Sequence, residues 1–199
     1  MAGFKSISAV GLSVQRLLNS CFEADAEQFD RVPKAVLVRT NDFDISVAGT
    51  VIVPPALSIF PYRVEANRAM RAAWSSVGSL DGRIHLPLDL HFLITPWAEN
   101  CEYELDILGR AMECLESTPI LSGPLLHPSG LWSAVEGVQV VLDDVPSDSI
   151  MRTFDSLSAH FRLSVAYLAR VLRIDGRVST LAPEVATVVT GKVPSAVPR

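Results

Sequence analysis

The chain has 199 residues, of which 49% are hydrophobic, so it can bury the core of one domain and differs from a disordered segment. Lys and Arg total 17 against 22 Asp and Glu, giving a net charge of −5 and no basic stripe, so we expect no nucleic-acid partner. No apolar run approaches the ~20 residues of a membrane span, and no signal-peptide pattern opens the chain, so we expect a cytoplasmic protein without membrane insertion.

The first half of the sequence predicts one helix followed by several strands. Apolar residues recur at three- and four-residue steps from Ser6 to about Phe22, which indicates an amphipathic helix. Strands are predicted at 35–40, 57–64 and 86–95, and 45–53 is either a strand or a loop edge. Pro61 indicates that its strand lies at a sheet edge or carries a bulge. The strand at 86–95 has apolar residues on both faces, so we expect packing on both.

The second half alternates helices and strands. Helices are predicted at about 100–117, with Asn100 as the cap, and at 147–157, with an apolar side that includes Met151. Strands are predicted at 138–142 and 163–174, and 120–137 is predicted to be a long connection. Residues 1–175 are expected to form the domain and 176–199 a tail or arm. The element order predicts an α+β fold, a mixed β-sheet with amphipathic helices packed on it.

Three cysteines, Cys21, Cys101 and Cys114, cannot all pair within one chain. If Cys101 and Cys114 share a helix, they are roughly 20 Å apart, far beyond the Cα separation of about 6 Å in a disulfide. We therefore expect reduced and mostly buried cysteines.

Sequence motifs for catalysis are missing. There is no phosphate-binding glycine loop and no Gly-x-Ser-x-Gly elbow, and no histidine stands at zinc-site spacing from a cysteine. We therefore predict no enzyme, no cofactor and no metal. The alternative is a small ligand-binding or enzymatic domain that uses Asp89 and His91, two apart on one strand face, although a structural histidine explains the same pattern. Asp143 and Asp144 either bind a cation or act as turn and capping carboxylates.

Three blocks of sequence stand out together: 60–67 with Met70 and Arg71; 86–95 with 107–112, Leu115 and 119–121; and 161–167. In this order and spacing they resemble the cap, or tail-terminator, proteins of phage-tail-like extracellular contractile injection systems. This family includes the caps of antifeeding prophage and Photorhabdus virulence cassette particles. Ala72 departs from the family, which often has asparagine there, and longer members carry extensions beyond the final strand. The resemblance runs from the first helix to about Asp175.

The resemblance implies a structural cap with tail-terminator fold, in which six copies form a ring on the last tube and sheath layers and stop their growth. The expected partners are further copies of the chain, the inner tube protein and the sheath protein, assembled in the cytoplasm. Closed cyclic symmetry suits a terminator, because it offers no equivalent face to a next layer. The strand edge near 57–64, or the tail at 178–197, is expected to add to a sheath sheet.

Candidate interface residues are arginines and aromatic residues. Arg68 and Arg71 lie three apart in a short helix or arm, and form either a solvated face or a grip for acidic groups. Each tryptophan lies in a predicted loop or element end and is either a contact residue or a core anchor. The candidates are Tyr62, Arg63, Arg68, Arg71, Trp74, Trp97 and Trp132.

Overall fold

The computed structural model describes residues 3–44, 49–71, 85–157 and 160–176. Its strands form one six-stranded mixed sheet in the order β1-β2-β3-β6-β5-β4, in which β1 and β2 are parallel and the other neighbours antiparallel. The predicted α+β fold is confirmed. The elements in chain order are α1 (Ser6–Ala24), β1 (Lys34–Leu37), β2 (Ala56–Ala66), α2 (Arg68–Arg71), β3 (His85–Trp97), α3 (Cys101–Ser117), β4 (Ile120–Ser122), β5 (Gly137–Leu142), α4 (Ser147–Asp155) and β6 (Val165–Asp175).

The main core lies between one face of the sheet and the two long helices. Alternate residues of β2 and β3 point into this core because side chains alternate across a strand. The apolar stripe of α1 supplies Val10, Val14, Leu18 and Phe22, and Asn100 caps α3 by accepting a hydrogen bond from the Tyr103 N–H, as predicted. Burial of each large side chain contributes about 1.5–3 kcal/mol. Among the helices of the described residues, none has both the length and the apolar character needed to cross a bilayer.

A smaller core covers the opposite face, as the apolar residues on both faces of β3 predicted. The Phe43 ring meets those of Phe60 and Phe154 edge-on, with centroids 5.1 and 6.2 Å apart. Phe154 reaches this core from α4, whereas Met151 is 49% exposed, so its predicted place on the apolar side is wrong. Phe43 comes from the segment after β1, so chain segments distant in sequence build this core.

One predicted alternative is settled and one strand was missed. Residues 49–53 form no strand, which agrees with the loop alternative, and 45–48 lie outside the described residues. Conversely, β4 lies within the predicted long connection and pairs with β5 through Leu121 opposite Val138. A three-residue strand is too short to show a period of two, and Gly123 and Pro124 directly after it favour a loop.

The cysteine prediction is wrong. A disulfide joins Cys21 in α1 to Cys114 in α3, with Cα atoms 6.3 Å apart, and Cys101 is free and exposed. The bridged residues are separated by 93 positions in sequence. They meet because α1 and α3 lie side by side on the same face of the sheet, a neighbourhood that the sequence spacing does not reveal.

Candidate docking surface

One edge of β2 is open along the second half of the strand. β1 pairs only with Ala56–Ile59, and Val38 donates the last hydrogen bond, 3.0 Å, to the Ile59 carbonyl before the chain leaves the sheet. Within the described ranges, no strand pairs with this side of β2 beyond Ile59. The backbone N–H and C=O groups of residues two apart point to the same side of a strand, so those of Pro61 and Ile59 share a side. Proline has no N–H, so the open edge lacks one donor at Pro61. The register also shifts between Pro61 and Arg63, which confirms the bulge, one of the two alternatives predicted from Pro61. β2 is the second strand of the sheet, and it is open only beyond Ile59 within the described residues.

An apolar groove of about 360 Å³ continues the line of β1 past its last residue. It lies between the first turns of α1 and the sheet, and Phe4 at its rim is 74% exposed. Gly11 lets α1 approach β1 closely, because a Cβ atom there would stand 3.1 Å from the Leu37 side chain. The groove, hereafter the α1 groove, is lined by Phe4, Lys5, Ile7, Ser8, Gly11, Leu37, Pro61, Leu90 and Phe92.

A polar cleft of about 250 Å³ lies on the other face of β2. Its centre is His91 of β3, which is only 5% exposed and whose Nδ1 lies 2.6 Å from Asp143 Oδ2. The Tyr62 ring lies beside the imidazole, with centroids 6.0 Å apart. This cleft, hereafter the His91 cleft, is lined by Tyr62, Arg63, His91, Leu93, Asp143, Asp144, Val145, Pro146, Ser149, Ile150 and Thr153.

Two buried polar groups of the His91 cleft lie against carboxylates. The Tyr62 hydroxyl interacts with the Asp143 carboxylate, and His91 Nε2 lies 3.5 Å from Glu65 Oε1. Burial raises the pKa of Tyr62, and the negative charge of Asp143 adds to that effect.

Arg63 and Glu65 form an ion pair on the open edge, 2.6 Å between Nη2 and the carboxylate. The hydrogen bond from Arg63 lowers the pKa of Glu65, and the same bond raises the pKa of Arg63. Both groups are solvent-exposed, so the pair sets their orientation and adds little stability.

Asp89 and His91 do not act as a pair. Both Asp89 carboxylate oxygens accept hydrogen bonds, 3.0 and 3.1 Å, from the Asn67 side chain, whereas His91 is bonded to Asp143. The alternative Asp89–His91 site is therefore not formed, because neighbouring elements satisfy each residue separately, and His91 is the hydrogen-bonded histidine that also explained the pattern. The Asp143 carboxylate is bonded to His91 Nδ1, and the N-cap of α4 is Pro146, with no side-chain capping bond. No group of three potential metal ligands occurs in the described part of the chain.

The candidate interface residues lie in different parts of the structure. Tyr62 and Arg63 line the His91 cleft, and Arg68 and Arg71 are exposed in α2, directly beyond the open edge. Trp132 is half-buried, and its indole N–H donates a 2.8 Å hydrogen bond to the His127 carbonyl. Trp74 lies outside the described residues.

Trp97 is a core residue, which corrects its assignment to an interface. Its side chain is 2% exposed, and its indole N–H donates a 2.9 Å hydrogen bond to Ser58 Oγ. The Arg162 guanidinium lies 4.3 Å from the ring centroid. Side chains from several elements therefore enclose this ring at the end of β3.

The α1 groove and the contribution of Asp143 were not predicted from the sequence. The signal for the groove is Phe4, a large apolar residue just before α1 and outside its apolar stripe. Asp143 has no comparable signal, because it lies 52 positions from its partner His91.

One protein-family model and two solved structures match this chain. The family described as the Pvc16 N-terminal domain matches residues 9–187. The PVC sheath/tube terminator, from an extracellular contractile injection system in the extended state, superposes with a TM-score of 0.54 at 15% identity, over 93% of this chain and 65% of that chain. The anti-feeding prophage cap, a tube-terminating cap, gives 0.52 at 16% identity, over 94% and 62% respectively.

At these identities the structural similarity establishes a shared fold. The chain spans less than two thirds of the length of either solved protein, 65% and 62%. A search of curated proteins finds no match.

Proposed function

Because the chain belongs to the Pvc16 N-terminal domain family, we propose that it is a structural cap that closes the distal end of a contractile injection system. In this role it ends the polymerisation of the inner tube and the sheath, and it performs no catalysis. The observation that carries the proposal is the shared fold with the PVC sheath/tube terminator and the anti-feeding prophage cap, over more than nine tenths of this chain. Assembly takes place in the cytoplasm.

The proposed assembly is a ring of six copies seated on the last tube and sheath layers. A terminator must bind one face of a polymer and present no equivalent face to the next subunit. A closed ring meets this requirement, because each copy uses its lateral surfaces on its neighbours and one axial surface on the polymer. Four residues are proposed to contact neighbouring copies in the ring or the tube and sheath subunits. They are the exposed Arg68 and Arg71, the half-buried Trp132, and Trp74, which lies outside the described residues.

The open edge of β2 and the α1 groove are the proposed docking surface for a sheath strand. An added strand would gain main-chain hydrogen bonds along Pro61–Ala66, and its alternate side chains would enter the groove. Exposed Val64, 48%, and Phe4, 74%, supply apolar contacts at the rim. The tail at 178–197 remains a second proposed strand donor.

The Phe4→Asp variant tests this docking surface. Phe4 is exposed, so its replacement should change the free energy of unfolding by less than about 0.5 kcal/mol. A carboxylate at the rim of an apolar groove should nevertheless weaken binding to assembled tube and sheath by at least about tenfold, measured by co-sedimentation. The matched control is Val135→Asp, at a 94% exposed position before β5. Wild-type binding by Phe4→Asp, or an equal loss in the control, would exclude the groove as the docking surface.

A further inference from the structure

We infer that residues 184–190 of the chain itself pair with the open edge of β2 and cover the α1 groove while the chain is not bound to a polymer. The edge and the groove form the docking surface proposed above for a sheath strand, so their masking rests on that proposal, whereas the pairing itself does not. An exposed strand edge beside apolar surface associates with other free strands. A segment of the same chain that covers both features prevents this association.

The place for an added strand is bounded at both ends. β1 pairs with β2 only as far as Ile59, and β2 itself finishes at Ala66, where α2 follows. Between these limits, Pro61–Ala66 leaves room for a strand of about six residues, with the α1 groove against one of its faces. Val64 lies opposite Leu90, a residue of the groove wall, so its side chain, 48% exposed, extends the apolar surface.

The sequence at 184–190, Glu-Val-Ala-Thr-Val-Val-Thr, is suited to a strand, and it lies outside the described residues. Its three valines and two threonines are the β-branched residues that strands favour, and it has about the length of the vacant edge. Pro183 precedes it and Gly191 follows it, and both residue types mark strand ends. Side chains two apart share a strand face, so Val185 and Val189 would enter the groove together.

The chain between β6 and this segment is long enough to reach the edge. β6 and β2 both run antiparallel to β3, so Asp175 and Ala66 lie at the same end of the sheet. A strand added to β2 would lie three strand spacings from β6, about 14 Å. Asp175 pairs with His85 and Ala66 with Leu88, which places Asp175 about 10 Å farther along the strands. Residues 176–183 extend to about 26 Å, enough for both distances and a path around α2.

A strand that enters from this end runs antiparallel to β2 and meets the arginines of α2 first. Glu184 opens the segment and would lie beside Ala66, next to the exposed Arg68 and Arg71. Opposite charges at this point favour the antiparallel direction over the reverse one. A tethered segment is present at an effective concentration on the order of millimolar, so it occupies the edge ahead of a second copy at micromolar concentration.

Hydrogen exchange of the full chain measures the pairing. At about 1 µM, the amides of 188–190 and the open-edge amides of Tyr62–Ala66 should exchange at least about tenfold more slowly in the wild type than in Thr187→Pro, because proline removes a donor and breaks the added strand. Ser195→Pro, outside the segment, is the matched control and should leave these rates unchanged. Equal rates in the wild type and Thr187→Pro, or an equal acceleration in the control, would overturn the inference.

Concentration and a free peptide identify the chain that supplies the strand. Pairing within one chain gives the same protection at about 1 and about 100 µM, whereas protection only at the higher concentration would assign the strand to a second copy and overturn the inference. A synthetic peptide of residues 183–191 should bind Thr187→Pro and bind the wild type at least about tenfold more weakly, because the edge is already occupied. Equal binding to the two proteins would contradict that occupancy.

Co-sedimentation with assembled tube and sheath measures the masking of the docking surface. Thr187→Pro should bind the polymer about tenfold more tightly than the wild type, because the tail no longer competes for the edge. Equal binding would overturn the masking, and weaker binding would do the same by identifying the tail as the strand donor to the sheath. Failure of the exchange test leaves the cap proposal intact, because exchange is measured on the isolated chain. Exchange as expected with no polymer binding by any variant would contradict the cap proposal instead.

Discussion

Replacing Trp97 by alanine is expected to lower the free energy of unfolding by about 3–5 kcal/mol. The ring is 2% exposed and packs in the smaller core, and its removal leaves a cavity that the rigid sheet cannot close. The substitution also strips Ser58 Oγ of its indole donor and Arg162 of the ring beneath it. Urea denaturation followed by circular dichroism measures the change.

The matched control for this prediction is Trp132→Ala. Trp132 is half-buried at the margin of the main core, so we expect a loss of about 1–2 kcal/mol. A Trp97→Ala variant as stable as the wild type, or a larger loss in the control, would contradict the assignment of Trp97 to the core and restore it as a contact residue.

Removing the disulfide in the Cys21→Ala/Cys114→Ala variant is expected to lower the free energy of unfolding by about 4–5 kcal/mol. The bond closes a loop between residues 93 positions apart, and by the chain-entropy relation such a loop restricts the unfolded chain by that amount. Chemical denaturation of the oxidised proteins measures the difference.

Reduction provides the internal check on the disulfide. Dithiothreitol should bring the wild type to within about 1 kcal/mol of the double variant and leave the variant itself unchanged. Cys101→Ala, which removes the free and exposed cysteine, should have no effect in either condition. A wild type whose stability is insensitive to dithiothreitol would contradict a stabilising bond between α1 and α3.

The spacing of apolar residues along the sequence was sufficient to predict the principal helices and strands of the fold. The stripe of α1 and the alternation in β3 are strong because each element is long, with 19 and 13 residues, and packs against the main core. Asn100 was recognisable because capping is a local interaction between a side chain and a nearby backbone N–H. β4 shows the limit, since its three residues carry too few positions for any period.

Pairing between distant residues could not be obtained from a single sequence. Cys21 meets Cys114, and His91 meets Asp143, only because separate elements pack together. The pairing of Asp89 with His91 failed for the same reason: sharing a strand face places two side chains nearby, but bonding partners come from adjacent elements. Trp97 lies at a strand end, a position typical of exposed residues, yet Phe43 from a distant segment packs against its ring, with centroids 5.9 Å apart.

The open edge of β2 was predictable and the surface around it was not. Pro61 is a strong local signal, because proline cannot donate to a sheet ladder and is confined to edges and bulges. The α1 groove depends on where β1 ends relative to α1, which only the tertiary structure determines. The proposed docking surface therefore combines one feature visible in the sequence with one that is visible only in the fold.

The most direct test of the cap proposal is the mass and placement of the purified chain, alone and with tube and sheath subunits, by light scattering and electron microscopy. The proposal predicts a six-copy ring at one end of each particle, and particles that become shorter and uniform in length as the chain is added. A monomer that binds neither polymer and leaves the length distribution unchanged would contradict it.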